Sequence, residues 1–296
     1  MKNYSPPYDN PLHEAAWVFF NKTSNLDGII HQTVVSWENK IQKEVNSKTY
    51  HMIGTTPITS NDLTSETAPI EETPIRVLKG ISREDYITFI NDISTYEVGY
   101  AISQCYEYFE TFLYDILAAY VKVKDDVYKG KDDQGEIRAL LKCELKGRNN
   151  AKALKMLRKE SKVYKKFEQS NTSEINIVDW YAVFSLVRHS ITHSASSIKR
   201  EDYNNLPPAR QILFNKLFPS KADNDFVSIK PTYITFRNVI KHSHSHALLI
   251  FKGLSDSLKL ESFPIFVHNS PAEVLQQIKE FAKNSNISSQ RDAGNV

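Results

Sequence analysis

The stretch INIVDWYAVFSLVRHSITH, Ile175 to His193, decides the fold. At about 100° per residue, Ile177, Trp180, Phe184, Val187 and Ile191 fall on one helical stripe. Val178, Val183 and Leu186 lie off that stripe. A helix that is apolar on most sides is buried on most sides, so this one is expected at the centre of a bundle or against a second protomer. Asn176 and Asp179 supply a start signal, and the helix is expected from about Ile177 to Ser190.

The flanking sequence repeats the helical signal. Ser82, Glu84 and Asp85 combine a hydroxyl cap with first-turn acids, which favour the positive end of a helix. From there the apolar pattern runs through Ile90, Ile102, Phe109 and Leu117 to about Lys124, as one long helix or two with a break near Gly99. Residues 136–168 read as one or two basic helices, and 207–218, 235–254 and 271–283 as further helices. Residues 226–230 read as a short strand or extended link. Toward the N-terminus, His13–Phe20 and Leu26–Val45 read as two helices. Thr55–Pro74 is rich in Thr, Ser, Pro and acid, without periodicity. The expectation is an all-α helical bundle over residues 81–283. It carries an N-terminal helical extension at 1–54, a linker at 55–80 and a disordered tail at 284–296.

Composition narrows the function classes. With 296 residues, 41% of them hydrophobic, the chain can bury a large core. The 37 Lys and Arg against 35 Asp and Glu leave overall charge uninformative about partners. Glycine is scarce, and neither GxxxxGK[ST] nor GxGxxG occurs, which argues against a P-loop or Rossmann nucleotide site. Cys105 and Cys143 have no metal or disulfide spacing and suit small buried residues in a reducing compartment. No apolar run reaches the roughly 20 residues of a membrane span, and the N-terminus lacks a signal-peptide pattern, so a cytoplasmic protein is expected.

The apolar helix ends abruptly in Arg188-His189-Ser190-Ile191-Thr192-His193. Cleaving RNA without a metal requires three things: the 2′-hydroxyl deprotonated, the phosphorane's charge stabilised and the 5′-oxygen protonated. An imidazole serves as base or acid near neutrality, and a guanidinium offers phosphate oxygens a rigid fork of donors. Arg188 and His193 are therefore candidate catalytic residues, with His189 or Ser190 orienting either one. On a regular helix Arg188 and His193 stand about 140° apart. They do not converge on one phosphate unless the helix end distorts, the Arg bends across, or a two-fold dimer lines one cleft with two copies of each.

This hexapeptide resembles the R-x4-6-H signature of the HEPN superfamily (higher eukaryotes and prokaryotes nucleotide-binding), whose polar residue after the Arg is His189 here. Tyr106 to Leu117, YEYFETFLYDIL, resembles the first core helix of those domains, which often carries an acidic residue. Glu110 is the best match and Glu107 the next. ITFRNVIKHSHSHALLIFKGL resembles the last core helix, so the resemblance covers about Ser82 to Leu254. It implies a helical bundle dimerising through its motif helices and a metal-independent endoribonuclease leaving 2′,3′-cyclic phosphate ends. Many members are toxins or phage-defence effectors, which brings in an antitoxin or regulatory protein as a partner. Others have lost catalysis and only bind. The resemblance thus implies Arg188 and His193 as catalytic, His189 as supporting, Glu110 as a further site residue, and no cofactor. The alternative is a non-catalytic helical module that binds RNA, nucleotide or protein.

Residues 138–166 hold eleven basic side chains against Glu144 and Glu160, a net +9. Arg148, Lys152, Lys155, Arg158, Lys159 and Lys162 are read as an RNA-backbone track, with a solvated helix face as the plain alternative. Tyr128 and Tyr164 are candidates for base stacking. The pairs His189/His193 and His242/His246 have spacing that suits Zn²⁺, but with no HExxH and no adjacent carboxylate a metal site is the weaker reading.

Overall fold

The computed structural model describes residues 10–44, 50–51, 59–60, 71–72, 79–124, 134–144, 151–171 and 175–262. In chain order the described elements are α1 (His13–Glu44), β1 (Tyr50–His51), β2 (Thr59–Ser60), β3 (Glu71–Glu72), β4 (Lys79–Ile81), α2 (Arg83–Lys124), α3 (Gln134–Glu144), α4 (Lys152–Glu160), α5 (Lys162–Gln169), α6 (Ile177–His193), β5 (Ser197–Lys199), α7 (Arg200–Asn204), α8 (Pro208–Leu217), β6 (Ser220–Ala222), β7 (Phe226–Ile229) and α9 (Tyr233–Ser257). The all-α class holds: helices α1, α2, α6 and α9 supply most of one apolar core.

The continuity of α1 differs from the two helices expected there, and the reason is tertiary. Thr23 and Asp27, poor helix formers, have partners on α9. The Thr23 hydroxyl donates to the Phe19 carbonyl at 2.9 Å and lies 2.6 Å from His244 Nε2. Asp27 accepts from the Tyr233 hydroxyl at 3.1 Å and pairs with Arg237 at 3.4 Å. Phe19 packs on Phe109 and Phe112, so the helix assigned to a separate extension shares the bundle core.

Gly99 does not break α2, which runs unbroken for 42 residues. A Cβ there would meet Ile191 Cγ2 of α6 at 3.4 Å, an ordinary van der Waals contact, which places the end of α6 against this point of α2. Ser82 caps the helix as expected, its Oγ accepting from the Asp85 amide at 3.1 Å. The basic region is three helices rather than one or two, because Ser161 ends α4 and caps α5 through the Tyr164 amide. Gly253 of α9 lets Tyr164 sit against the helix, where a Cβ would meet the Tyr164 Cα at 2.7 Å.

Asn176 caps α6, accepting from the Val178 and Asp179 amides. The helix runs three residues beyond the expected end, through His193. Ala195 and Ser196 then take left-handed φ values of 47° and 61° and turn the chain into β5. The small antiparallel sheet β5-β7-β6 follows; β7 falls where a strand was expected, while β5 and β6 have no alternation long enough to announce them. The helix expected at 271–283 and the tail at 284–296 lie outside the described residues.

Candidate functional site

Two helices build the site by running antiparallel. Ile191 of α6 sits at Gly99 of α2, Arg188 at Glu107, and Trp180 at Phe109. Arg188 therefore points back onto α2. Its Nη2 donates to Glu107 Oε1 at 2.6 Å, and its guanidinium lies 6.0 Å from the Tyr106 ring centroid. Arg188 Nε is buried with no hydrogen-bond partner among the described residues. The acid on Arg188 is thus Glu107, the second match in the sequence, rather than Glu110.

Glu110 stands one turn further along. It accepts from the Tyr181 hydroxyl at 3.4 Å. Burial raises its pKa, the Glu107 charge raises it further, and the Tyr181 hydrogen bond, Lys142 and Arg188 oppose the rise. The Tyr106 hydroxyl donates to Tyr181 at 3.0 Å, and its ring stacks on that of Tyr181. Burial pushes the Tyr181 phenol far above its ordinary value, so Tyr181 stays neutral.

A groove of about 640 Å³ runs along the outer side of α6. Val178, Ala182 and Leu186 give it an apolar wall, while Lys155, Arg188, His189 and Arg210 bring in positive or titratable groups. Arg210 is held at its edge by Asp179 at 2.7 Å. The outer side of α6 is thus open in a single chain, whereas Trp180, Phe184 and Val187 are buried.

His193 does not line the groove, yet its ring lies 4.8 Å from that of His189. On the helix His189 falls between the other two, at about 100° from Arg188 against about 140° for His193. Arg188, His189 and His193 therefore fan out from the helix end without meeting at one point. Ser190 points the other way: it is buried, its hydroxyl donates to the Val187 carbonyl at 2.8 Å, and it supports the helix terminus instead of a catalytic group.

The expected RNA track divides. Lys155 lines the groove, Lys159 and Lys162 are exposed, Lys152 is half-buried, and Arg148 lies outside the described residues. Arg158 is already engaged within the chain: it grips Glu168 at 2.5 and 2.6 Å. Glu168 is 4% exposed, and a carboxylate that buried needs a charged partner. Tyr164 is fully buried and offers no ring face to a base, and Tyr128 lies outside the described residues.

Two of the α9 histidines, His244 and His246, pack into the bundle. His244 packs edge-on to Phe20 and bonds Thr23; burial lowers its pKa to about 4. His246 packs edge-on to Trp180 at 4.5 Å, and burial followed by His242 lowers its pKa to about 3. Among the described residues no group of three or more His, Cys, Asp or Glu side chains is placed to hold a metal ion. Cys105 is buried 3.7 Å from Ser243 Oγ, with burial pushing its thiol up to about 12, whereas Cys143 is exposed. Among the described residues no helix is long and apolar enough to cross a membrane.

Compared with protein-family models, curated proteins and solved structures, the chain finds no match. The pattern of residues itself explains what sequence reading missed. Arg210 is 31 positions from Asp179, and no local spacing marks it as part of the groove.

Proposed function

We propose that this chain is a metal-independent, HEPN-type endoribonuclease whose site is composed from two copies of α6. The observation that carries this reading is the groove on the open side of that helix. It gathers Arg188, His189, Lys155 and Arg210 beside an apolar wall, with His193 next to His189. A phosphate replaces the Glu107 carboxylate on the Arg188 fork, exchanging one charge-assisted hydrogen bond for another. An imidazole, His193 foremost, takes the proton from the 2′-hydroxyl. The 2′-oxygen attacks phosphorus, the bond to the 5′-oxygen breaks, and that oxygen leaves with a proton from a second imidazole. The products are a 2′,3′-cyclic phosphate and a 5′-hydroxyl. His193 serves the phosphate held by Arg188 of the partner copy, because Arg188 and His193 of one helix diverge, and His189 beside that Arg188 is the second imidazole. The family resemblance adds a role as a toxin or defence effector under the restraint of a regulatory protein.

A second reading, a non-catalytic binding module, draws on the Arg188–Glu107 pair, which engages the guanidinium without any substrate. Purified protein incubated with mixed RNA in excess EDTA separates the two. Cleavage to cyclic phosphate ends is expected. Intact RNA that nevertheless binds the protein would favour the module, and cleavage only when Mg²⁺ or Zn²⁺ is restored would reject the metal-independent mechanism.

A further inference from the structure

The last turn of α6 carries an imidazole pair with the geometry of a metal chelate. His189 and His193 are one helical turn apart and both exposed, and their ring centroids lie 4.8 Å from one another. A metal ion about 2.0–2.1 Å from one nitrogen of each ring, with an N–metal–N angle of about 90–109°, holds the two centroids about 4.5–5.2 Å apart. The pair is thus already spaced for a shared ion. His242 and His246 have the same sequence spacing and fail the same measure: their centroids are 6.3 Å apart, and His246 is only 3% exposed. The surroundings of the α6 pair suit a cation. Carbonyls at a helix C-terminus carry partial negative charge, and His193 is the last residue of α6. Arg188, the neighbouring cation on the helix, is turned onto Glu107 of α2.

We propose that His189 and His193 chelate a divalent late-transition-metal ion of the Zn²⁺ class, and that the bound ion shuts the site off. The chelate stands on geometry alone; its inhibitory effect rests on the ribonuclease reading. Imidazole nitrogen selects late first-row ions over Mg²⁺ and Ca²⁺, which take oxygen ligands. Thr192 adds no ligand, since its hydroxyl donates to the Arg188 carbonyl at 2.9 Å. Two protein ligands are fewer than the four of a structural zinc site or the three of a catalytic one, so the ion loads and leaves with the ambient metal instead of holding the fold or driving the chemistry. Its effect follows from the lone pairs it occupies. His193 takes the 2′-hydroxyl proton and His189 gives one to the leaving oxygen, and an imidazole nitrogen bound to metal does neither.

The test is isothermal titration calorimetry of the full chain near neutral pH with Zn²⁺, Ni²⁺ and Mg²⁺, beside His189→Ala, His193→Ala and His242→Ala. Zn²⁺ and Ni²⁺ are expected to bind at up to one ion per chain, and Mg²⁺ not to bind. His189→Ala and His193→Ala are each expected to weaken Zn²⁺ binding at least about tenfold, no less than the loss of an outer-shell partner costs a metal site. His242→Ala is expected to leave it unchanged. Zn²⁺ binding that survives loss of either exposed histidine overturns the chelate, and so does Mg²⁺ binding as tight as Zn²⁺. RNA cleavage by the unmutated chain is measured alongside. Saturation with Zn²⁺ is expected to lower it at least about a hundredfold, the low end of an acid–base contribution, and EDTA to restore it. Cleavage undiminished in the Zn²⁺-saturated chain overturns the inhibitory role. Zn²⁺ binding that needs both histidines, in a chain that cleaves no RNA, would sink the ribonuclease reading and leave the metal site standing.

Discussion

On the proposed ribonuclease reading, replacing Arg188 or His193 with Ala is expected to lower RNA cleavage at neutral pH by about 10²–10⁴-fold, the usual contribution of a positioned acid–base or charge-stabilising group. The two losses differ in origin. His193→Ala removes the proposed proton carrier from an exposed position at the end of α6, beside His189. Arg188→Ala removes the phosphate fork and also breaks the pair with Glu107. That pair is half-exposed, 32% on the Arg and 42% on the Glu, so its contribution to stability is at most about 1 kcal/mol. Thermal melts should therefore shift by only a few degrees while activity collapses. A large shift in melting with a matching partial loss of activity would mean that Arg188 serves the fold alone. Arg188→Lys keeps the charge and loses the fork, and is expected to recover only part of the rate.

Acid should loosen the fold well before carboxylate titration does. His244 and His246 are neutral in the folded chain, with pKa values lowered by burial to about 4 and about 3. In the unfolded chain an ordinary histidine takes up its proton near pH 6.5, so the unfolded state binds more protons between those values. Stability is then fully present above about pH 6.5 and is lost progressively as the pH falls through about 4. One pKa unit corresponds to about 1.4 kcal/mol, which makes the combined loss several kcal/mol. His246→Phe, which keeps the edge-on contact with Trp180, should flatten the dependence of the melting temperature on pH between 6.5 and 4. A melting curve unchanged over that range in the unmutated chain would contradict the assignment of these rings to the core.

The same histidines show how far sequence could be read and where it stopped. Periodicity exposes α6, because Trp180, Phe184 and Val187 recur with the helical repeat, and caps expose its start at Asn176 and that of α2 at Ser82. Composition does not expose partners. His242, His244 and His246 alternate with Ser and look solvated in one dimension. In three, His244 meets α1 and His246 meets α6. Arg158 looks like one more cation in a basic run until Glu168 folds back against it. α1 looks broken at Thr23 until α9 supplies the missing hydrogen bonds. Each gap comes from a contact between residues distant in sequence, which local patterns do not encode. The spread of Arg188 and His193 around α6 was legible throughout, since it follows from helix geometry alone.

That spread makes the composite site the central claim, and mixing two inactive chains tests it most directly. Arg188→Ala and His193→Ala proteins are unfolded together, refolded at equal concentration and assayed for RNA cleavage in EDTA. In a mixed dimer, one of the two symmetry-related Arg188–His193 pairings across the shared cleft is intact, with Arg188 from one chain and His193 from the other. Random pairing then restores about one quarter of the unmutated activity, since half of the dimers are mixed and each has one of its two Arg188–His193 pairings working. Activity no higher than that of either variant alone would contradict the shared site and return both residues to a single chain.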